Sequence, residues 1–262
     1  MFSTSPRQWQ AYALGRGQCE VMGQLRQKYD LKPMVIHSNY LINLAGAAEP
    51  FRSKSITAFR GELERGAALC AEYLVLHPGS FRGASREQGL TRVALGIEEA
   101  ARGLDLGRLT VLIENTAGAE FSLGGTFEQV AELLERLRGH LPVGACIDTC
   151  HTHVAGYDIV SEEGRRLTLR HLGKTVGFKN VRVWHCNDAK AERGSRLDRH
   201  EHIGRGKLGL EVFRALLNDP RLMHAAFIAE TPIDDPGDDW RNVQTLKGLV
   251  SAPLPAPRVV KL

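Results

Sequence analysis

The sequence predicts an α/β protein built as a TIM (β/α)8-type barrel, and three observations carry that prediction. Six short runs rich in β-branched and apolar residues recur along the chain, each followed by a longer amphipathic stretch. The runs are almost continuously apolar, as strands buried on both faces of a parallel sheet should be. Each run ends in a polar residue able to bind a metal: His37, His77, Glu114, Asp148, His185 and Glu230. An open doubly wound sheet gathers functional groups at one switch point, whereas a barrel brings every C-terminal strand end to one mouth. Six polar ends out of six favour the barrel.

In chain order, the strands are read at PMVIH (33–37), YLVLH (73–77), LTVLIEN (109–115), VGACIDT (143–149), VRVWHCN (181–187) and AFIAET (226–231). Between the first two, ITAFRGELERGAALCAEYL reads as a helix with Ile56, Phe59, Leu63, Cys70 and Tyr73 on one stripe. TFEQVAELLERLRG reads as a helix capped by Thr126 and ended by Gly139. Side chains two apart on a strand share a face. Val75 therefore goes with His77, Leu112 with Glu114, Cys146 with Asp148, Val183 with His185, and Ile228 with Glu230. Each pair puts an apolar or small residue inside the barrel with a candidate ligand one layer above. Cys186 then faces the helices and reads as core filling. The proline-rich end SAPLPAPRVVKL (251–262) reads as an irregular tail, leaving residues 1–250 as a single catalytic barrel domain.

The 262 residues suffice for one sizeable core, and 43% apolar with 24% charged residues is ordinary for a globular protein. A net charge of +4 is compatible with a polyanionic partner but is weak support for one. Five cysteines without CxxC spacing read as reduced thiols of a cytoplasmic protein. No apolar stretch approaches the roughly 20 residues of a membrane span, and the first residues lack the apolar core of a signal peptide.

Imidazole and carboxylate together suit zinc, manganese or iron. Three histidines and three carboxylates at one mouth exceed what a single tetrahedral ion needs. DTCH adds His151 three residues after Asp148, and SRLDRHEHIGRGKLG (195–209) adds Asp198 and His200 in Asp-x-His spacing. Any one of the nine, taken alone, reads as a structural histidine or a helix cap. Nine such coincidences on one face do not. His202 competes with His200 on spacing, with His200 favoured; His153 stays open; His140, His171 and His224 sit in helix-end or loop contexts and read as structural.

The stretches RQW, IHSNYLINLAG, LHPGS, VLIENTAG, CIDTCHTHVAGYDI, WHCNDAK, GSRLDRHEHIGRGKLG and AETP, in this order, resemble the endonuclease IV family of zinc-dependent apurinic/apyrimidinic (AP) endonucleases. The resemblance runs from Phe2 to about Leu249. It implies three zinc ions per chain, with manganese an alternative at one position. His37 and His77 would hold the first, with Glu114 bridging to the second; Asp148, His185 and Glu230 would complete the second; His151, Asp198 and His200 would hold the third. Glu114, Asp148 and Glu230 are the implied catalytic carboxylates. Four carboxylates and three zinc ions leave about +2 with neutral histidines, which suits a phosphodiester anion. A zinc-bound hydroxide is the implied nucleophile, with the third ion stabilising the departing 3′ oxygen.

The implied reaction is DNA-repair cleavage of double-stranded DNA on the 5′ side of an abasic site, leaving a 3′-hydroxyl. The abasic sugar would turn out of the stack, which is cheap when no base is paired. Tyr40 and Leu41 would wedge into the bent duplex, Arg7 would contact DNA, and the glycines of 204–209 would let the backbone pass close to metal and DNA. A monomer is the simpler expectation. Relative to the family, the first strand-helix unit and part of the second strand are lacking. MFST reads as a strand stub, and the natural product is expected to be longer. Two other readings compete: a metal-dependent sugar isomerase or epimerase-like barrel, and a non-catalytic DNA-binding relative. The histidine-rich donor set and SNYLINLAG argue against the first.

Overall fold

The computed structural model describes residues 1–11 and 14–251, so the predicted tail beyond Ser251 lies outside the described residues. In chain order the elements are α1 (Arg16–Lys28), β1 (Val35–His37), α2 (Phe51–Ala68), β2 (Tyr73–Leu76), α3 (Arg86–Ala101), β3 (Thr110–Glu114) and α4 (Phe127–Leu137). There follow β4 (Val143–Asp148), α5 (Thr149–Val154), α6 (Glu162–Thr175), β5 (Val181–Cys186), β6 (Asp188–Ala189), β7 (His200–Glu201), α7 (Leu210–Leu217), β8 (Ala226–Ala229) and α8 (Asp238–Gly248). Strands β1, β2, β3, β4, β5 and β8 pair in that order, all in parallel. Phe2 forms a parallel bridge with His37 at the outer edge of β1, where the strand stub was read. β6 and β7 form a separate antiparallel ribbon.

Strand parity sorts the side chains as predicted. Val35, Val75, Leu112, Cys146 and Val183, with Ile228 packed against them, form one inner cluster. Residues from β1 through β8 can share that cluster only if the sheet is curled, as in a barrel wall. The alternate positions, Ile36, Leu74, Leu76, Val111, Ile113, Ile147 and Cys186, join Phe59, Leu63, Val93, Ile97, Val130 and Leu133 of the helices in the larger outer core. Each fully buried side chain of this size contributes about 1.5–3 kcal/mol, so the outer layer dominates the energetics. Cys186 thus fills core between sheet and helices.

Helix starts follow local chemistry. Ser85 Oγ accepts from Gln88 N at 3.2 Å and Gln88 Oε1 accepts from Ser85 N at 3.0 Å, a reciprocal box that begins α3. Thr126 caps α4 through Gln129 N at 3.3 Å, and Gly139 turns the chain after it with φ +84°. One expectation needs correcting. Ile56, Phe59 and Leu63 do face inward on α2, but the helix ends at Ala68; Cys70 takes a left-handed φ of 52° and is exposed, and Tyr73 opens β2. The stripe read across 56–74 therefore spans a helix, a turn and a strand. Among the described residues no helix is long and apolar enough to cross a membrane.

Candidate metal centre

The C-terminal strand ends carry the polar residues to one mouth. Glu114, the last residue of β3, is fully buried and stands at the centre. Its Oε2 lies 3.1 Å from His37 Nε2 and 3.0 Å from His77 Nε2. Its Oε1 lies 3.0 Å from His185 Nδ1 and 3.4 Å from His151 Nδ1. His185 Nδ1 is also 3.0 Å from Glu230 Oε2. Asp198 stands between two imidazoles, 3.2 Å from His151 Nε2 and 3.2 Å from His200 Nε2.

Donor atoms of His37, His77 and Glu114 lie within 4.8 Å of one another, as do those of Glu114, Asp148, His185 and Glu230, and those of Asp148, His151 and His200. All nine residues singled out in the sequence meet here. The grouping differs at one point: Asp148 faces both the second set and the third, 3.8 Å from His200 Nε2. The third set is also the more open, since the Asp198 side chain is 48% exposed where Glu114 and Asp148 are fully buried.

The local folding of each element aims these groups. Asp148 is both strand end and helix cap: its Oδ1 accepts from His151 N at 2.7 Å and starts the six-residue α5. Asp148 and His151 are therefore set by one helical turn. His37 Nδ1 pairs with the Ser38 carbonyl at 2.8 Å, His151 Nδ1 with the Asn115 carbonyl at 2.9 Å, and His200 Nδ1 with the Glu230 carbonyl at 3.1 Å. A ring that donates from Nδ1 presents the Nε2 lone pair to the mouth, the arrangement a metal-binding imidazole requires. His200 Nε2 is buried with Asp198 Oδ1 at 3.2 Å but without a well-aligned hydrogen bond, a position that a cation between the two would satisfy.

Electrostatics favour a cation as well. Burial alone would push the carboxyl of Glu114 up, but the neighbouring His185 and His77 outweigh it and hold it well below the usual carboxylate range. Burial also opposes ionisation of Glu230, yet His185 beside it brings its value down to about 2. Burial works against protonation of His151 and His200, but Asp148 and Asp198 prevail, raising His151 well above its ordinary value and His200 to about 9. The carboxylates that favour a proton on these two imidazoles would equally favour a cation between them. Cys146, in the inner cluster below His185, has its thiol pushed up to about 12 by burial. It stays a neutral floor residue.

Several residues that build the site were not singled out in the sequence. Asn115 Oδ1 accepts from Asp148 N at 2.7 Å, and Asn187 donates to Asp148 Oδ2 at 2.5 Å while accepting from Glu230 N at 2.9 Å. Asp188 is fully buried and accepts from the backbone of Ala189, Gly204, Leu208 and Gly209. The one signal for them was position, next to candidate ligands in VLIENTAG and WHCNDAK.

Two of the glycines at 204–209 sit where the chain packs tightly. A Cβ on Gly206 would overlap the Ala189 carbonyl and sit 2.5 Å from Asp188 Oδ1, and one on Gly204 would run into Leu210. Gly206 thereby lets the loop close on Asp188. His202 turns away from the mouth: its Nε2 is 3.2 Å from Asp234 and its Nδ1 3.0 Å from Asn242 Nδ2, leaving the mouth to His200. His153 is buried on the far side of α5 with both ring nitrogens unpaired.

At the rim, Arg7 is exposed, Tyr40 is 55% exposed and Leu41 is partly buried. The Tyr40 ring packs 5.2 Å from Phe2 and 5.6 Å from His37, so the exposed ring stands directly beside a member of the cluster. The Tyr40 amide donates to the Pro6 carbonyl at 3.0 Å, joining the two rim loops.

Comparison with known proteins agrees with this architecture. The family described as xylose isomerase-like TIM barrel matches residues 1–247. The probable endonuclease 4 of Solibacter usitatus is 49% identical over 259 residues, covering 98% of this chain and 89% of that protein. The probable endonuclease 4 of Chloroflexus aurantiacus is 43% identical over 252 residues, covering 95% and 88%. Among solved structures, endonuclease IV from Thermus thermophilus is 38% identical with a TM-score of 0.83, covering 95% of this chain and 87% of that one. A D-tagatose 3-epimerase-like protein, 20% identical with a TM-score of 0.68, shares the fold alone.

Proposed function

The chain belongs to the endonuclease 4 family of xylose isomerase-like TIM barrels and is a hydrolase of the nuclease class; from that premise we propose that it cleaves double-stranded DNA on the 5′ side of abasic sites, leaving a 3′-hydroxyl, with three zinc ions at the barrel mouth. The observation that carries the reading is the convergence of nine donor side chains, five imidazoles and four carboxylates, on one cluster. His37 and His77 would hold the first ion, with Glu114 shared with the second. Asp148, His185 and Glu230 would complete the second. His151, Asp198 and His200 would hold the third, with Asp148 close enough to share. Manganese is an alternative at one position. When bound, such ions lower the pKa of water and neutralise charge developing on a phosphodiester.

The chain's own groups do the rest. Glu114 keeps the first two sets in register, because both of its oxygens are engaged by imidazoles. Asp148 and Glu230, as the other two catalytic carboxylates, would flank the second set, with Asn187 donating to the Asp148 carboxylate and accepting from the Glu230 backbone amide. Tyr40 and Leu41 would fill the gap left by the turned-out abasic sugar, and Arg7 would contact the DNA backbone. The protein would act as a cytoplasmic monomer. The sugar isomerase reading is supported only by fold-level likeness, and the donor set is richer in histidine than that chemistry needs.

Metal analysis joined to a nicking assay tests the proposal. About three transition-metal ions per chain are expected, with nicking of a duplex carrying one abasic site that stops on full chelation and returns with zinc. A single ion per chain would revive the sugar isomerase reading. Binding of the abasic duplex without nicking, in fully loaded protein, would favour the non-catalytic relative.

A further inference from the structure

Between the cluster and the rim stands a buried polar residue that the reaction does not use. Asn39 lies two residues after His37 and directly before Tyr40, and it is 5% exposed. All of its side-chain hydrogen bonds go to rim backbone. Nδ2 donates to the Ser5 carbonyl at 2.9 Å and to the Gln8 carbonyl at 2.5 Å, and Oδ1 accepts from the Leu41 amide at 2.7 Å. One amide therefore grips both ends of the segment that carries Arg7 and, by its other atom, the start of the Tyr40–Leu41 loop. The Tyr40 amide to Pro6 carbonyl bond is the second tie between the same two segments. The Gln8 amide makes only a long 3.4 Å contact to Ser5, so the short turn holds itself weakly.

We propose that Asn39 is a positioning residue for DNA recognition, locking the Arg7 segment to the Tyr40–Leu41 wedge so that both meet the duplex as one rigid surface; this rests on the proposed abasic-site reading. A side chain with both hydrogens and its oxygen satisfied in a buried place has little freedom. Ordering two loops before the encounter spares the complex that entropic cost. The chemistry is specific to an amide. Aspartate in the same place keeps the Leu41 bond but turns a carboxylate oxygen toward the Ser5 and Gln8 carbonyls, which it repels.

The test compares zinc-loaded parent, Asn39→Asp, Arg7→Ala and the double variant. In DNA-free protein, hydrogen exchange of peptides covering residues 5–11 and 39–42 should quicken in Asn39→Asp while bound zinc stays at the parent level. Affinity for a duplex with one abasic site should fall about 10-fold or more, as the loss of one to two net hydrogen bonds predicts. Turnover at saturating duplex should fall less. Because Asn39 acts through the Arg7 segment, the double variant should bind little worse than Arg7→Ala alone. Unchanged exchange, fully additive losses, or a fall in turnover with affinity intact would each overturn the proposal. A parent that does not prefer abasic over intact duplex would instead condemn the functional reading itself. A parent that does prefer it, with Asn39→Asp indistinguishable from it, condemns the clamp alone.

Discussion

Replacing Asp188 with alanine should destabilise the metal-free protein by about 3–5 kcal/mol. The carboxylate is fully buried, and its two oxygens take four backbone amides: Ala189 at 2.8 Å, Gly204 at 2.9 Å, Leu208 at 2.8 Å and Gly209 at 3.3 Å. Three of those donors belong to the single loop that follows β7. A buried donor left unmade costs about 1–3 kcal/mol, and these bonds are charge-assisted. Water entering the vacated space would recover part of the sum, which brings the four orphaned amides to the stated range. For a chain of this size each kcal/mol lowers Tm by about 2–4 °C, so a fall of about 6–20 °C is expected. Asp188→Asn should fall almost as far, because its amide nitrogen would face two backbone N–H groups in place of an acceptor. Calorimetry on zinc-stripped parent and variants measures this directly. A Tm within about 2 °C of the parent would refute the claim that Asp188 is the anchor of residues 202–209.

Three further outcomes are expected. Glu114→Gln should lower nicking of an abasic duplex by about 10³-fold or more, since the carboxylate facing both halves of the cluster loses its charge; activity near the parent level would remove Glu114 from the site. Tyr40→Ala should weaken discrimination between abasic and intact duplexes in a binding titration and leave the zinc count unchanged; loss of zinc would mean that the rim loop shapes the cluster itself. In stripped protein, His200 is held at about 9 against an ordinary 6.5. Its folded value lies above the unfolded one, so its contribution to stability is complete below 6.5 and disappears as pH rises through about 9. Tm measured from pH 6 upward should show that decline, and a His200→Gln variant that declines equally would assign it elsewhere.

The frame of the site was legible because strand geometry writes itself into sequence. His37, His77, Glu114, Asp148, His185 and Glu230 end apolar runs, and period-two parity placed Val75, Leu112, Cys146, Val183 and Ile228 beneath them, where the inner cluster holds them. His151 followed from one helical turn after Asp148, and Asp198 and His200 from their spacing. Asn39, Asn115, Asn187 and Asp188 were not legible. A polar residue beside a ligand looks the same in sequence whether it binds metal, caps a turn or props up a neighbour, and only the partners of its hydrogen bonds decide. Gly206 makes the same point: a need for close approach is visible in sequence, but that Asp188 and the Ala189 carbonyl are what it approaches is not. The helix-period stripe failed past Ala68 because Cys70 and Tyr73 kept the spacing after the backbone had left the helix.

The two routes by which residues reach the third set differ in how they tolerate change of length. Asp148 and His151 share a strand-to-helix junction of fixed bite, where one inserted residue would turn either group out of the mouth. Asp198 hangs from a hairpin excursion whose ends are pinned by the β6–β7 pairs and by the Lys190 amide on the Arg199 carbonyl at 2.9 Å. Its far side is tied to α5 as well, by the Gly194 amide on the His153 carbonyl at 3.2 Å and the Arg196 amide on the Val154 carbonyl at 2.9 Å, so chain can be added or removed only ahead of those ties while Asp198 and His200 keep their places. A protein engineer wishing to retune the third ion, or natural drift exploring the same question, would find room for variation between Ala191 and Arg193 and none between Asp148 and His151.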